Sequence, residues 1–264
     1  MNDIGMRFRW SLLQMMLAVA MMAGMASLSI HLLYVHASPL EVIEQAGGMV
    51  LGDYDNAGNL LECVVFFKSS SMMGPREIRA ICRLPNVRGI AFRRWEEPAP
   101  DLSQFSQILT LDTINILDGN DDMFASIAKI PHLRVLRLSG DKVKGAGLYH
   151  LAGMQKLEIL DLSDTCTTDS GAQVLHRIKG LEEVGLRNTC ISDAALSDLW
   201  RLKALKHLDL ARTPITASGV QDLAKIRTLK SVNLNYTLVS GSDIGPLEHV
   251  DHVVGFGLDR ESAE

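Results

Sequence analysis

His207 and Asp209 stand two residues apart, the spacing that sends two side chains out of one face of a β-strand. Asp161 precedes Asp209 by 48 residues (209 − 161). An imidazole beside carboxylates is the minimum equipment for proton transfer or for part of a metal site. No third ligand position recurs at a matching interval, and a mixed-charge solvated surface is the simpler expectation for this trio. Nucleophile-elbow, zinc-helix, phosphate-loop and kinase signatures are all missing from the chain. The four cysteines, Cys63, Cys82, Cys166 and Cys190, form no C-x-x-C pair and no Cys/His metal spacing. The expectation is therefore a protein without catalysis and without a cofactor.

What positions these side chains is a repeat. Leu133, Leu157, Leu181, Leu205 and Leu229 are each 24 residues apart, and each opens a triplet L-x-x-[LV]-x-L. A second phase keeps the interval through Leu148, Ala172, Leu196, Val220 and Ile244, followed by the Leu151 and Met154 series three and six residues later. The last two members of the first triplet are two apart, as in a strand with one buried face. Spacing by three suits one face of a short helix. Between them lies a T-x-[ITV]-[ST] turn that places Thr168, Ser192, Thr216 and Ser240 where helix N-caps would stand. Each unit thus reads strand, turn, helix. Stacked units give an α/β solenoid with a curved parallel sheet on the concave side and short helices on the convex side. Adjacent units also bring Cys166 and Cys190 to neighbouring rungs, where the spacing admits a disulfide or two unpaired thiols pointing the same way.

These residues resemble the leucine-rich repeat proteins of bacteria, in particular the planctomycete type whose units read L-x-x-L-x-L-x-x-T-x-I-[ST]-D-x-G-L. Asp169-Ser170-Gly171-Ala172, Asp193-Ala194-Ala195-Leu196 and Ala217-Ser218-Gly219-Val220 are variants of its D-x-G-L portion. The units are also similar to the ribonuclease-inhibitor and F-box-associated subclass. The resemblance covers roughly residues 40–259 and implies a binding scaffold, with no ligand specified.

Between the buried leucines three columns of side chains face the expected concave surface. They are Val135, Ile159, Glu183, His207 and Ser231; Arg137, Asp161, Gly185, Asp209 and Asn233; and Ser139, Ser163, Arg187, Ala211 and Asn235. Arg137, Asp161, Glu183, Arg187, His207, Asp209, Asn233 and Asn235 are the candidate ligand-binding residues. Arg137 beside Asp161 on the next rung reads as a cross-strand ion pair.

Ahead of the repeats, no Asp, Glu, Lys or Arg occurs between Trp10 and Leu40. As a helix, 11–36 is long enough to span a bilayer. Arg7 and Arg9 precede it and Glu41, Glu44 and Asp53 follow, which places residues 1–10 in the cytoplasm and the repeats outside it. A signal peptide cleaved near Val35-His36-Ala37, leaving a secreted protein, is the alternative, and a buried core helix is a third reading. Residues 37–60 read as a linker and an N-terminal capping hairpin, and 61–264 as the repeats. The early triplets are Leu61/Val64/Phe66, Val87/Ile90/Phe92 and Leu111/Ile114/Ile116, with helices at 74–84, 101–108 and 122–130. The prolines at 98 and 100 predict a loop that leaves the stack carrying Trp95, either as packing or as an exposed anchor. Val253/Phe256/Leu258 forms a ninth triplet with no cap after it. Asp259, Arg260 and Glu261 are the charges expected to blunt that last edge.

A net charge of −5 supplies no basic field for nucleic acid. The expected function is a membrane-anchored, extracytoplasmic module that binds a protein, or a surface glycan, on its concave sheet. An envelope protein self-associating through its C-terminal edge is the structural alternative. An adaptor similar to F-box substrate receptors ranks last, because nothing resembling an F-box precedes the repeats.

Overall fold

The computed structural model describes residues 38–96 and 100–255. The expected membrane segment, the residues before it, and Phe256, Leu258, Asp259, Arg260 and Glu261 lie outside the described residues. Among the described residues no helix is long and apolar enough to cross a membrane.

Ten strands among the described residues form one sheet in simple sequence order. They are β1 (Met49–Tyr54), β2 (Leu60–Phe67), β3 (Val87–Phe92), β4 (Thr113–Ile116), β5 (Val135–Leu138), β6 (Ile159–Asp161), β7 (Glu183–Gly185), β8 (His207–Asp209), β9 (Ser231–Asn233) and β10 (His252–Val254). β1 and β2 are an antiparallel hairpin, and from β2 onward every neighbour is parallel. The period becomes register: Val135, Ile159, Glu183, His207 and Ser231 face one another rung by rung. Leu133, Leu136 and their equivalents through Val232 are buried in one continuous core.

The first unit departs from the expected triplet. Leu61 and Val64 are 49% and 39% exposed, while Cys63, Val65 and Phe67 point inward. Val65 pairs with Ile90 and Phe67 with Phe92, so the inward set lies one residue later than Leu61/Val64/Phe66. Both faces of Leu60–Phe67 are apolar, so alternation cannot fix its register, and a one-residue slip exchanges the faces.

The convex side is not purely α-helical. α-Helices α1 (Pro39–Gln45), α2 (Pro75–Ile81), α3 (Met123–Ile127), α4 (Asp169–Ala172), α5 (Asp193–Leu196) and α6 (Ala217–Leu223) alternate with 3-10 turns at Leu102–Gln107, Leu148–Gly153, Gln173–Arg177, Leu199–Arg201 and Gly245–Leu247. Apolar residues spaced by three stack directly in a 3-10 helix, which has three residues per turn. That is why Leu148, Leu151 and Met154 all reach the core.

The turns are joined across units by side chains. Thr165, Thr189, Thr213 and Thr237 each donate the hydroxyl to the carbonyl three residues back, inside the core. Asp169 accepts from the backbone N–H and hydroxyl of Ser192, and Asp193 does the same for Thr216. Ser192 and Thr216 also cap α5 and α6, as expected. Thr168 and Ser240 do not act this way. Thr168 makes no side-chain cap bond and instead donates to the Lys144 carbonyl, because Gly145 stands where the unit before would need an aspartate. Ala217 leaves Ser240 in the same position, and Ser240 turns to its own Asp243.

Trp95 stays within the stack rather than leaving it. Its backbone N–H donates to the Asp118 carbonyl, and its buried ring meets Phe92 edge-on with centroids 5.6 Å apart. Glu96 continues the attachment by accepting from Ser69 and Ser71.

Candidate functional site

The outward side chains of β6 to β9 converge on an open depression of about 240 Å³. It is lined by Asp161, Ser163, Glu183, Gly185, His207, Asp209, Ser231 and Asn233 together with the edges of Val184 and Leu208. Parallel register puts Glu183 beside His207 and His207 beside Ser231, while Asp161, Gly185, Asp209 and Asn233 form the adjoining column. Five of the eight expected binding residues therefore come together: Asp161, Glu183, His207, Asp209 and Asn233. Arg137, Arg187 and Asn235 are outside the lining.

The expected Arg137–Asp161 ion pair does not form, although the two residues are in register. Asp161 has a backbone task instead. Its Oδ1 accepts from the Ser163 N–H, Asp209 Oδ1 accepts from Ala211, and Asn233 Oδ1 accepts from Asn235. A short polar side chain closing a turn two residues ahead is a local alternative to the sheet ladder. These three residues thus hold the strand ends as well as facing the depression. The recurrence of Asp or Asn in the second outward column, at 161, 209 and 233, was the sequence signal for that role.

Gly185 sits where a Cβ would run into Asp161 Oδ1, with Ser163 Oγ close by. The missing side chain lets the Asp161 carboxylate lie over the rung and deepens the depression. Glu183 and His207 are exposed, and neither side chain has a hydrogen bond or ion pair among the described residues. Three carboxylates and one imidazole make the lining acidic. Among the described residues, no group of three or more His, Cys, Asp or Glu side chains is placed to hold a metal ion.

Cys166 and Cys190 are free thiols on neighbouring rungs. Partial burial, and then contact with the Cys190 thiol, raises the Cys166 pKa.

Sequence reasoning missed a charge ladder at the edge where the chain enters each strand. Arg88 pairs with Asp112 at 3.1 Å, Arg134 with Glu158 through Nε at 2.9 Å, and Lys206 with Glu182 at 2.6 Å. Stepping by 24 from Arg134 through Glu158, Glu182, Lys206 and Lys230 would have shown it. The Arg134 guanidinium holds Glu158 below the usual carboxylate range. These pairs are solvent-exposed and contribute little each.

The leucine-rich repeat family model matches residues 153–175 and 203–224. The fold is similar to an internalin (inlF) from Listeria monocytogenes, with a TM-score of 0.52 and 18% identity over 66% of this chain and 49% of that one. It is also similar to an internalin C2 (inlC2) from the same organism, with a TM-score of 0.50 and 18% identity over 74% of this chain and 80% of that one. The chain thus spans about half the length of the first internalin and most of the second. No curated protein matches in sequence. The units are leucine-rich repeats stacked into a solenoid-like fold, an architecture commonly used to bind proteins.

Proposed function

We propose that the chain is a non-catalytic binding module that takes a protein partner on the outward face of β6 to β9. The observation carrying this reading is the acidic depression around Glu183 and His207, open along the strands and, among the described residues, without a partner for either side chain. Its charge favours an extended, basic segment of the partner, because complementary charge steers the encounter and fixes the register. In the same reading residues 11–36 anchor the chain in a membrane with the repeats outside the cytoplasm, or are removed as a signal peptide. The planctomycete-type and ribonuclease-inhibitor-like assignment rests on the unit pattern alone.

The test is affinity capture from envelope extract by the full chain, beside a Glu183→Ala, His207→Ala double variant. Neither residue supports the fold, so the variant should keep the parent's circular dichroism. The expected result is a protein held by the parent and lost by the variant. Equal retention by both would overturn the reading. Protease treatment of intact cells checks the anchor separately, since repeats inside the cytoplasm would survive it.

A second reading, self-association, is favoured by one specific observation. The outermost strand β1 exposes Met49, Leu51 and Tyr54, with Leu51 57% accessible. An exposed apolar edge strand is a template for pairing with another chain. This shifts the expected contact from the C-terminal edge to the N-terminal one. Sedimentation of the parent against Leu51→Lys distinguishes them, because only a β1 contact would be lost in the variant.

A further inference from the structure

We propose a second binding surface, distinct from the sheet face, for a linear acidic polysaccharide on the strand-entry edge of the three units that end in β7, β8 and β9. The repeat places basic residues there in columns: Arg177, Arg201 and Lys225; Lys179, Lys203 and Arg227; and, one step further, Lys206 and Lys230. Eight cations on one edge stand out in a chain of net charge −5.

Some of them have local work. Arg201 pairs with Asp198, Lys225 with Asp222, and Lys206 with Glu182. Lys179 and Lys203 donate to the His176 and Trp200 carbonyls at the ends of their 3-10 turns. Arg177, Arg227 and Lys230 have none: each is exposed and makes no side-chain hydrogen bond or ion pair among the described residues.

Trp200 lies among these cations, 40% exposed, with Lys203 Nζ at 4.9 Å and the Arg201 guanidinium carbon at 5.6 Å from its ring. An indole on the convex side, outside the core, is costly to leave in water and is suited to stacking on the apolar face of a sugar ring. The flanking cations then meet the acidic substituents of the neighbouring sugars. Because the cations repeat once per rung, they match a ligand that itself repeats, and a linear polymer crossing the rungs engages several at once. Multiple weak contacts of this kind sum to useful affinity. A nucleic acid duplex is less suited, since its bases are stacked inside the helix and offer the Trp200 ring no free face.

The test uses the full chain and three probes: a heparin-type sulfated polysaccharide, a neutral dextran of equal length, and a polyphosphate of equal charge. The expected result is binding to the sulfated polysaccharide that weakens with salt, with dextran unbound and polyphosphate weaker. Arg177→Gln, Arg227→Gln and Lys230→Gln together should reduce the affinity about tenfold, since each exposed ionic contact is modest. They should leave circular dichroism and capture of a sheet-face partner unchanged. Trp200→Ala should weaken the polysaccharide severalfold and leave polyphosphate unaffected. No loss in the triple variant would overturn the surface. Equal binding of both polyanions, untouched by Trp200→Ala, would overturn the polysaccharide assignment.

Discussion

Asp193 offers a direct test of how neighbouring units are locked together. Its carboxylate accepts from the Thr216 backbone N–H at 2.9 Å and from the Thr216 hydroxyl at 2.6 Å, one unit further on. In Asp193→Ala both bonds go, and the Thr216 N–H is left half-buried at the head of α6. Hydrogen bonds to an ionised acceptor contribute about 1.5–3 kcal/mol each, less where water can enter. Water reaches the hydroxyl more easily than the N–H, so the expected cost is about 2–3 kcal/mol. In urea, with a slope of up to about 3 kcal/mol/M for a chain of this size, the midpoint should fall by about 1 M at unchanged slope. Asp141→Ala is the control, since that exposed carboxylate has no hydrogen bond or ion pair among the described residues. Gly219→Ala approaches the same contact from the other side, because its Cβ would collide with Asp193 Oδ1. If Asp193→Ala shifts the midpoint no further than Asp141→Ala, the cross-unit aspartate is not a lock and the reasoning fails.

Two further outcomes are expected. Hydrogen bonds from Ser69, then Ser71, hold the Glu96 carboxyl below the usual glutamate value. A depressed folded value means that this stabilisation is present above the unfolded value of about 4.3 and is lost as pH falls through the folded one. The protection of the Arg93–Glu96 amides, measured as exchange relative to the intrinsic rate at each pH, should therefore fall in acid, and Ser69→Ala with Ser71→Ala should remove that pH dependence. An unchanged acid response would contradict it. Arg212 has a φ of 58° at the repeat position that Asp164 and Asn188 also occupy with positive φ. The left-handed region costs most side chains about 1–2 kcal/mol and is tolerated better by Asn. Its stacking on Tyr236, at 5.4 Å, returns about 0.5 kcal/mol. Arg212→Asn should thus raise stability by about 0.5–1 kcal/mol in thermal unfolding, and a clear loss would show that the stacking outweighs the strain.

How much was legible in the sequence follows from how strictly each signal is enforced. Leucines at a fixed interval of 24 cannot move without opening the core, so the stack, its parallel register and its outward columns could be read directly. The same register puts Glu183, His207 and Asp209 on one face. Where both strand faces are apolar, as in Leu60–Phe67, alternation carries no information. Only pairing with β3 decided that Val65 and Phe67 go inward. Trp95 is similar, since prolines at 98 and 100 said only that regular structure ends. The bond from its backbone N–H to the Asp118 carbonyl and the packing of its ring on Phe92 decided that the indole stays in the stack. The partners of polar side chains were also beyond a linear reading. Asp161 faces Arg137 in register yet bonds to the Ser163 backbone, because a two-residue turn holds the carboxylate closer than a flexible guanidinium can. Periodicity specifies which residues share a face. Which of them touch depends on distances of a few ångströms, and those exist only once the chain has closed on itself.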